Sequence, residues 1–442
     1  MKRLTLTLLI AAALTPMSAV LADDLGDLKA EIAQMRAEYE QRIQQLEQRL
    51  TQAENTTNDV REEVAIVKST PIPITHSNNS FNPAISMVLN GQFSSYSNPT
   101  GNYTLNGFSM QNGAGLATEG LSLGESEITL SASIDQLLFG QMTIALADDG
   151  AGVEEAFIET QGLDNGLTVR AGRFYSPIGY LNERHVHVWN FADAPLIYRG
   201  LFGDQMATDG LKLSYILPTD QLVEIGGTIG SGNQYPSNGS HSGIGDWLVF
   251  AKTGGDIGIS HSWQASVAHW QSSPKDRSIG DMNLPSPVTF NGDTDISNLS
   301  LIYKWAPNGN PTQQNLTLLG EYFYSHDTGT LNNIPTTAIY NGKQYGGYVE
   351  GMYQFMPRWR AGMRYDRLSS SINASNVGLL NAANLDLTSF HPQRYSLMLE
   401  WLPSNFSRLR VQINEDKSSR NNDTQLFLQY TVNIGAHGAH SY

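Results

Sequence analysis

Residues 84–434 alternate between apolar and polar side chains in short segments, and this alternation constrains the fold more than any other feature of the sequence. In the last segment, Leu426, Leu428 and Tyr430 lie on one face, whereas Gln425 and Gln429 lie on the other. A period of two residues is that of a β-strand with one apolar face. Sixteen such segments, each of about 8–12 residues, can be counted. Their centres lie near residues 89, 128, 143, 157, 170, 213, 225, 249, 263, 301, 320, 349, 363, 397, 410 and 429.

The lengths of the connections distinguish two architectures for such strands. A soluble sandwich buries its apolar faces, whereas a transmembrane barrel turns them toward lipid and keeps a polar lumen. Connections after odd-numbered strands are often long, near residues 95–120, 175–209, 272–294 and 369–391. Those after even-numbered strands are short: Asp135–Leu138, Gly162–Gly166, Pro218–Gln221, Gly254–Asp256, Pro307–Asn315, Pro357–Arg358 and Pro403–Phe406. This sorting predicts an all-β transmembrane barrel of about sixteen antiparallel strands over residues 84–442.

Three tryptophans support the barrel, because each lies at a short-turn end of its strand with the parity of the apolar face. They are Trp305 beside Pro307, Trp359 beside Pro357, and Trp401 beside Pro403. Aromatic residues gathered at one end of a barrel are typical of a girdle at the membrane interface. The alternative is that they cap a soluble core.

The first 83 residues follow a different pattern. Residues 1–22 combine a basic start, a short apolar stretch and small residues before Asp23, which predicts a signal peptide cleaved after Ala22. Residues 23–68 predict an α-helical coiled coil, since apolar positions recur at spacings of three and four. These positions are Leu25, Leu28, Ile32, Met35, Tyr39, Ile43, Leu46, Leu50, Ala53, Val60, Val64 and Val67. Residues 69–83, which are rich in Pro, Asn and Ser, predict a linker.

The predicted coiled coil indicates partners, because a lone helix cannot bury a narrow apolar stripe against itself. Identical chains are the expected partners, so we predict a homo-oligomer. The alternative is that the helix packs on the barrel of its own chain. The number of chains cannot be read from a seam of mixed residue types.

Composition excludes several classes of function. The chain has no Cys, so disulfides, thiolate metal sites and Cys nucleophiles are excluded. Its formal net charge of −15 argues against nucleic acid as a partner. No apolar run reaches 18 residues, so helical membrane spans are not expected.

The order of signal peptide, short coiled coil and sixteen-strand barrel resembles that of Gram-negative trimeric porins. The segment Val169–Phe174, followed by Pro177, Ile178 and Gly179, is similar to their strand-to-loop junctions. Within these porins, the chain resembles the phosphate-selective and sugar-specific families that carry N-terminal periplasmic extensions. The resemblance implies a trimer in outer-membrane lipid, with the coiled coil in the periplasm and open to contact with peptidoglycan. The acidic composition departs from the basic pores of the phosphate-selective family.

The connection Tyr175–Asp209 is the third on the long-loop side, and it is strongly apolar and aromatic. An exposed loop of this composition would be costly in water, so we expect it to fold into the barrel. The alternative is packing against the neighbouring outer loops. Trimeric porins, by resemblance, place their third loop at the pore constriction.

Charged residues with the parity of the polar face are the predicted pore lining. Five are basic: Arg360, Arg364, Arg394, Arg408 and Arg410, which we call the Arg row. Seven are acidic and lie on other strands or in the third loop: Glu125, Glu127, Glu155, Glu159, Glu183, Asp193 and Asp204. Two arrangements stay open at this point. The charges either create a field across the lumen or pair locally with carboxylates such as Asp366 and Glu400.

The expected function is that of a porin for passive diffusion of small hydrophilic solutes and ions, with a mild preference for cations. A substrate-selective porin for anions, phosphate or sugars is the alternative, and a barrel enzyme or an envelope tether is the next. His185 and His187 have a spacing suited to a divalent metal, but no third ligand is evident, so no metal or other cofactor is expected. No hydrolase or metalloprotease motif is present, and His261 and His269 have no identifiable catalytic partner.

Overall fold

The structure, a computed structural model, describes residues 83–110, 114–147, 150–163, 166–238, 243–279, 287–383, 385 and 390–435. All of them belong to one unit of the chain, Phe81–Tyr442. The predicted signal peptide, the predicted coiled coil and the predicted linker up to residue 82 lie outside the described residues.

Strands make up most of the regular structure. They are β1 Ala84–Tyr96, β2 Gly120–Leu123, β3 Ser126–Ser133, β4 Leu138–Ala147, β5 Gly150–Thr160, β6 Leu167–Tyr175, β7 Ala207–Ile216, β8 Leu222–Gly230, β9 Asp246–Ile257, β10 His261–Ser272, β11 Arg277–Ile279, β12 Val288–Trp305, β13 Asn315–Asn333, β14 Thr336–Met356, β15 Trp359–Ala374, β16 Gln393–Ser404, β17 Ser407–Lys417 and β18 Asp423–Gly435.

The strands pair antiparallel in chain order, and β1 pairs with β18, so the sheet closes on itself. Both β2 and β3 pair with β1, which makes them two segments of one interrupted strand. In the same way, both β10 and β11 pair with β12. The eighteen segments therefore form a closed barrel of sixteen antiparallel strands. This confirms the predicted barrel, and all sixteen predicted centres lie within strands.

The predicted strand lengths were wrong on one side of the barrel. The strands β12, β13 and β14 have 18, 19 and 21 residues, well beyond the length that alternation indicates. Outward positions near the long-loop end of β13 are polar, as at His326, Thr328 and Thr330, so alternation fades there while the pairing with β14 continues. The predicted turn Gly254–Asp256 was also misplaced. It lies inside β9, and the chain reverses at residues 258–260, where Gly258 has a φ of 62°.

Side chains are arranged with apolar groups outside and polar groups inside. On β17, Leu409, Val411 and Ile413 are 41%, 46% and 49% exposed, whereas the polar residues between them are buried. Leucine, isoleucine, valine and tyrosine side chains are exposed in the same way on strands all round the barrel. Burying such groups is worth roughly 25 cal/mol per Å², so an exposed belt of them would be costly in water.

The short-turn end of the barrel carries the three tryptophans that the sequence singled out. Trp359 and Trp401 are register partners, and their rings stack with centroids 6.1 Å apart. Trp305 lies opposite His261 at the same end, where β12 turns toward β13.

Two short helices, α1 (Leu196–Phe202) and α2 (Val377–Ala382), interrupt the connections on the long-loop side. Leu379 and Leu380 of α2 join a buried apolar cluster with Phe290 and Tyr340, which closes over the long ends of β12–β14. Neither helix has the length and apolar character that crossing a membrane requires.

Candidate pore constriction

The connection between β6 and β7, residues 176–206, folds into the barrel, as the sequence predicts, and we call it the inner loop. Its side chains Ile178, Leu196 and Ile197 have no exposed surface. They belong to a buried apolar cluster that includes Leu319 and Phe323 on β13. The loop is therefore held inside the barrel by the same apolar character that would make it costly to expose.

Helix α1 fixes the middle of the inner loop against the barrel wall. It ends at Gly203, whose left-handed φ of 66° and ψ of 42° form a common helix stop. Tyr198 donates a hydrogen bond of 2.8 Å to Oε2 of Glu321, and Tyr348 of β14 donates one of 2.6 Å to the same oxygen. Burial, reinforced by Glu321, raises the pKa of Tyr198 well above its usual value, so the phenol stays a donor at neutral pH.

Asp193 anchors the inner loop to the far wall of the barrel. Its carboxylate accepts from Arg364 Nη2 at 2.7 Å and from Arg394 Nη1 at 2.7 Å. Gln412 and Asn414 donate to the same carboxylate at 2.7 and 3.0 Å. Burial alone would raise the pKa of Asp193, but Arg394 and Arg364 outweigh it and hold the pKa well below its usual value.

Four members of the Arg row also bind the main chain of the inner loop. Arg364 donates to the carbonyl of Asp193 (2.9 Å), Arg394 to that of Ala194 (2.6 Å), Arg408 to that of His187 (2.6 Å) and Arg410 to that of Trp189 (2.8 Å). The loop covers these four side chains, which keep at most 3% of their surface exposed. Arg360 alone in the row stays partly open, with 24% of its side chain exposed.

Glu400 is shared by three arginines at the other end of the Arg row. It lies directly between Arg360 and Arg410 in the register of β15, β16 and β17. Arg360 Nε donates to it at 2.8 Å, Arg410 Nη2 at 2.8 Å, and Arg408 Nε lies 3.5 Å away. Asp366 likewise lies within 3.2 Å of Arg364 Nε. Of the two arrangements that the sequence left open, the local one describes these contacts, because every arginine of the row lies within 3.5 Å of a carboxylate. Five arginines share only three carboxylates, Asp193, Asp366 and Glu400, so the row keeps a surplus of positive charge.

Two of the predicted acidic residues, Glu127 and Glu155, contact the two histidines of the inner loop. Glu127 Oε1 lies 2.6 Å from His187 Nδ1, and Glu127 Oε2 lies 3.0 Å from His185 Nδ1. His185 Nε2 lies 3.0 Å from Glu155 Oε2. Burial would lower the pKa of His185, but its hydrogen bonds to Glu127, Glu154 and Glu155 outweigh burial and raise the pKa well above its usual value. His185 is therefore an imidazolium among carboxylates at neutral pH.

A β-bulge adds Glu154 to this group. Thr143 and Ile144 of β4 face Glu155 and Val153, so Glu154 has no register partner and turns inward beside Glu155. Its Oε2 lies 3.2 Å from His185 Nδ1. Glu125, in the break between β2 and β3, completes what we call the His–Glu cluster. Its members are Glu125, Glu127, Glu154, Glu155, His185 and His187.

The remaining predicted residues lie outside these two groups. Glu159 pairs with Arg170 at 2.7 Å, and Asp204 lies 3.4 Å from Arg199 within the inner loop. Glu183, also in the inner loop, forms ion pairs with Lys212 on β7 and Lys252 on β9.

Sequence reasoning missed Glu154, Lys212 and Lys252. Strict alternation places Glu154 on the outer face, and only the bulge reverses it. Lys212 Nζ lies 3.7 Å from Glu183 Oε1, and Lys252 pairs with the same carboxylate. Lys212 was detectable, because Leu211 and Leu213 on either side of it carry the outward parity.

Open space in the lumen lies on both sides of the inner loop. Toward the short-turn end there is a cavity of about 690 Å³, to which Arg184 and Lys304 contribute. Toward the long-loop end there is one of about 520 Å³, lined in part by Gln92, Glu125 and Asp204. The inner loop therefore stands between two polar compartments.

No family model matches the chain. An uncharacterized protein of Aquifex aeolicus (strain VF5) is 28% identical over 341 residues, which span 73% of this chain and 70% of that protein. Similar solved structures include an anion-selective porin from Comamonas acidovorans, with a TM-score of 0.49 and 10% identity over 80% of this chain and 99% of that one. The trimer form of OmpT, an outer membrane protein of Vibrio cholerae, has a TM-score of 0.48 and 12% identity over 80% and 99% of the two chains. The outer membrane channel DcaP of Acinetobacter baumannii has a TM-score of 0.47 and 10% identity over 80% and 97%.

The barrel of this chain is established by its own strand pairing, which closes between β1 and β18.

Proposed function

We propose that this chain is an outer-membrane porin, which forms a water-filled channel for passive diffusion of small hydrophilic solutes and ions. The observation that carries the proposal is the closed barrel with an apolar exterior and a polar interior, a combination that suits lipid outside and water inside. The three tryptophans at the short-turn end support the same orientation, with that end at the periplasmic interface.

The inner loop supports a narrowed channel. A sixteen-strand barrel is wide enough for an aqueous pore, so any selection by size needs an element inside it. The inner loop is such an element, and Asp193 and the Arg row tie it to one wall. Solutes would pass between the compartments at its two sides, along the part of the wall that the loop leaves uncovered.

The charge balance supports a mild preference for cations. Residues 69–442 contain 19 basic and 31 acidic side chains, a net charge of −12. Local pairing takes most of the Arg row out of contact with the lumen, which leaves the acidic surplus to attract cations. Anion or phosphate selectivity is the competing outcome.

Oligomerisation belongs to the same proposal. We infer a homotrimer, held in part by a periplasmic coiled coil over residues 23–68, because its predicted apolar seam needs identical partners.

Planar-bilayer recording of the full-length protein tests the proposed function. We expect stepwise ohmic conductance, and a reversal potential in a KCl gradient that favours K⁺ by a few-fold. A protein that is folded, membrane-inserted and yet non-conducting would contradict a channel. A reversal potential of the opposite sign, together with competition by phosphate, would establish the selective anion porin instead.

A further inference from the structure

The His–Glu cluster brings nitrogen and oxygen donors from three separate elements to one buried place. Glu127 comes from β3, Glu154 and Glu155 from β5, and the two histidines from the inner loop. The imidazole rings of His185 and His187 stack with centroids 5.7 Å apart, and both Nδ1 atoms face the carboxylate of Glu127. Passive diffusion of solutes does not require this convergence.

The spacing of the donor atoms suits a single small ion. Zinc binds imidazole nitrogen and carboxylate oxygen at about 2.0–2.2 Å, so tetrahedral ligands stand about 3.3 Å from one another. The Glu127 oxygens lie 2.6 Å and 3.0 Å from the histidine Nδ1 atoms. One donor atom each from Glu127, His185 and His187 all lie within 4.8 Å of one another, and so do those of Glu125, Glu127 and Glu154. A displacement of a few tenths of an ångström would admit an ion.

The cluster combines four carboxylates with two histidines and contains no lysine or arginine. Among the described residues, the carboxylates of Glu127, Glu154 and Glu155 form ion pairs only with the two histidines. Four carboxylates so close together repel one another unless protons or a cation compensate them.

A second observation points to a ligand. Oε1 of Glu125 is completely buried and accepts no hydrogen bond from any residue that the structure describes. A buried carboxylate oxygen without a donor costs about 1–3 kcal/mol or more, so such atoms normally have a partner. Glu125 belongs to the group of Glu125, Glu127 and Glu154, in which one carboxylate oxygen of each residue lies within 4.8 Å of the others.

We propose that Glu127, His185 and His187 bind one divalent transition-metal ion such as Zn²⁺, with a carboxylate oxygen of Glu125 as a further ligand. Two imidazoles and carboxylates form the donor set that favours Zn²⁺ and its neighbours in the first transition row over Mg²⁺ or Ca²⁺, which prefer oxygen alone. The ion takes the place of the protons that lie between Glu127 and the two Nδ1 atoms, and these protons are released to solvent, because only a deprotonated imidazole nitrogen coordinates. It fastens the inner loop to β3, which is separated by two strands, β1 and β18, from β17 and its end of the Arg row.

The proposal is independent of conduction, because metal binding is measured on the detergent-solubilised protein without a membrane potential. The experiment is calorimetric titration of Zn²⁺ into the full-length protein, purified without a histidine tag. We expect one saturable equivalent per chain for the wild type, and loss of it in the variant Glu127→Gln/His187→Gln.

Two matched variants complete the experiment. His261→Gln alters a histidine on the outward face of β10, opposite Trp305, whose Nδ1 faces Tyr303, and it should keep the full equivalent. His437→Gln/His440→Gln removes the histidines of the C-terminal tail, and it should also keep it. Loss of zinc in the tail variant, with retention in Glu127→Gln/His187→Gln, would overturn the proposal. So would the absence of saturable binding in the wild type at millimolar Zn²⁺.

Co²⁺ provides a readout that does not depend on a folded variant. Bound to the wild type, Co²⁺ should show the intense visible absorption of a tetrahedral nitrogen and oxygen site, and added Zn²⁺ should abolish it. A spectrum equal to that of hydrated Co²⁺ would overturn the site. Heat-modifiable migration on a denaturing gel establishes that each variant used in the titration is folded.

Discussion

At the scale of single residues, Asp193 has the largest predicted effect. The variant Asp193→Asn removes the negative charge from between Arg364 and Arg394 and leaves both buried guanidinium groups short of a partner. Breaking a buried pair in this way costs about 3–5 kcal/mol. We expect thermal unfolding in detergent at a lower temperature, and a larger and noisier single-channel conductance as the inner loop loosens. The variant Asp295→Asn, at a partly exposed position on β12, is the matched control and should shift stability by less than about 0.5 kcal/mol.

The same residue predicts a pH dependence with a defined sign. The pKa of Asp193 is lowered in the folded protein, so its stabilising contribution is complete above the unfolded pKa of about 3.9 and disappears as the pH falls through the folded value. The stability difference between wild type and Asp193→Asn should therefore stay constant from pH 7 to about pH 4 and shrink only below that range. Urea unfolding across this range measures it. A difference that already halves by pH 5 would mean that Asp193 is not held ionised by the arginines.

At the scale of elements, the inner loop depends on the Arg row. The variant Arg360→Ala/Arg364→Ala/Arg410→Ala removes three positive charges and two of the hydrogen bonds to loop carbonyls. We expect a larger single-channel conductance and a stronger preference for cations, both measured in planar bilayers. Arg360→Ala alone is the matched control, because Arg360 contacts Glu400 and not the loop. It should change selectivity slightly and leave the conductance level unchanged. Equal conductance in the triple variant and the control would contradict the proposal that these arginines hold the inner loop in place.

The strands were predictable from the sequence because the alternation of apolar and polar residues lies within each strand and does not depend on distant parts of the chain. β17 is typical, with its apolar residues outward and Arg408, Arg410 and Gln412 inward, as parity indicates. The bulge at Glu154 was not predictable, since a bulge is decided by pairing with β4 and leaves no local period. The bond between Asp193 and Arg394 joins residues 201 positions apart, and no local pattern encodes it. For the same reason, the sequence indicated His185 and His187 as possible ligands but did not indicate the third, Glu127, which lies 60 positions from His187.

At the scale of the whole molecule, the coiled coil predicted over residues 23–68 should stabilise the assembly. A variant lacking residues 24–68 retains every described strand, so we expect it to form a barrel that migrates as folded on a gel. Its oligomer should dissociate at a lower temperature than that of the full-length protein. Light scattering in mild detergent measures the number of chains in each. A full-length protein that is monomeric under these conditions would exclude an oligomer. If both proteins dissociate at the same temperature, contacts between barrels suffice for assembly and the coiled coil serves only as a spacer.

Ion selectivity is a property of the whole charge distribution, and it predicts a dependence on salt. The acidic surplus of residues 69–442 acts through water-filled compartments, where the Debye length is about 10 Å at 0.1 M salt and 3 Å at 1 M. The ratio of K⁺ to Cl⁻ permeability should therefore be a few-fold at 0.1 M, a difference of less than about 1.4 kcal/mol, and fall toward unity at 1 M. Reversal potentials measured across threefold KCl gradients at both concentrations test this.

The variant Glu183→Gln, which frees Lys212 and Lys252 from their carboxylate, should lower the ratio of K⁺ to Cl⁻ permeability at 0.1 M and leave the 1 M value unchanged. A ratio that is independent of salt would locate selectivity in a short-range binding site instead of the field of the acidic lumen.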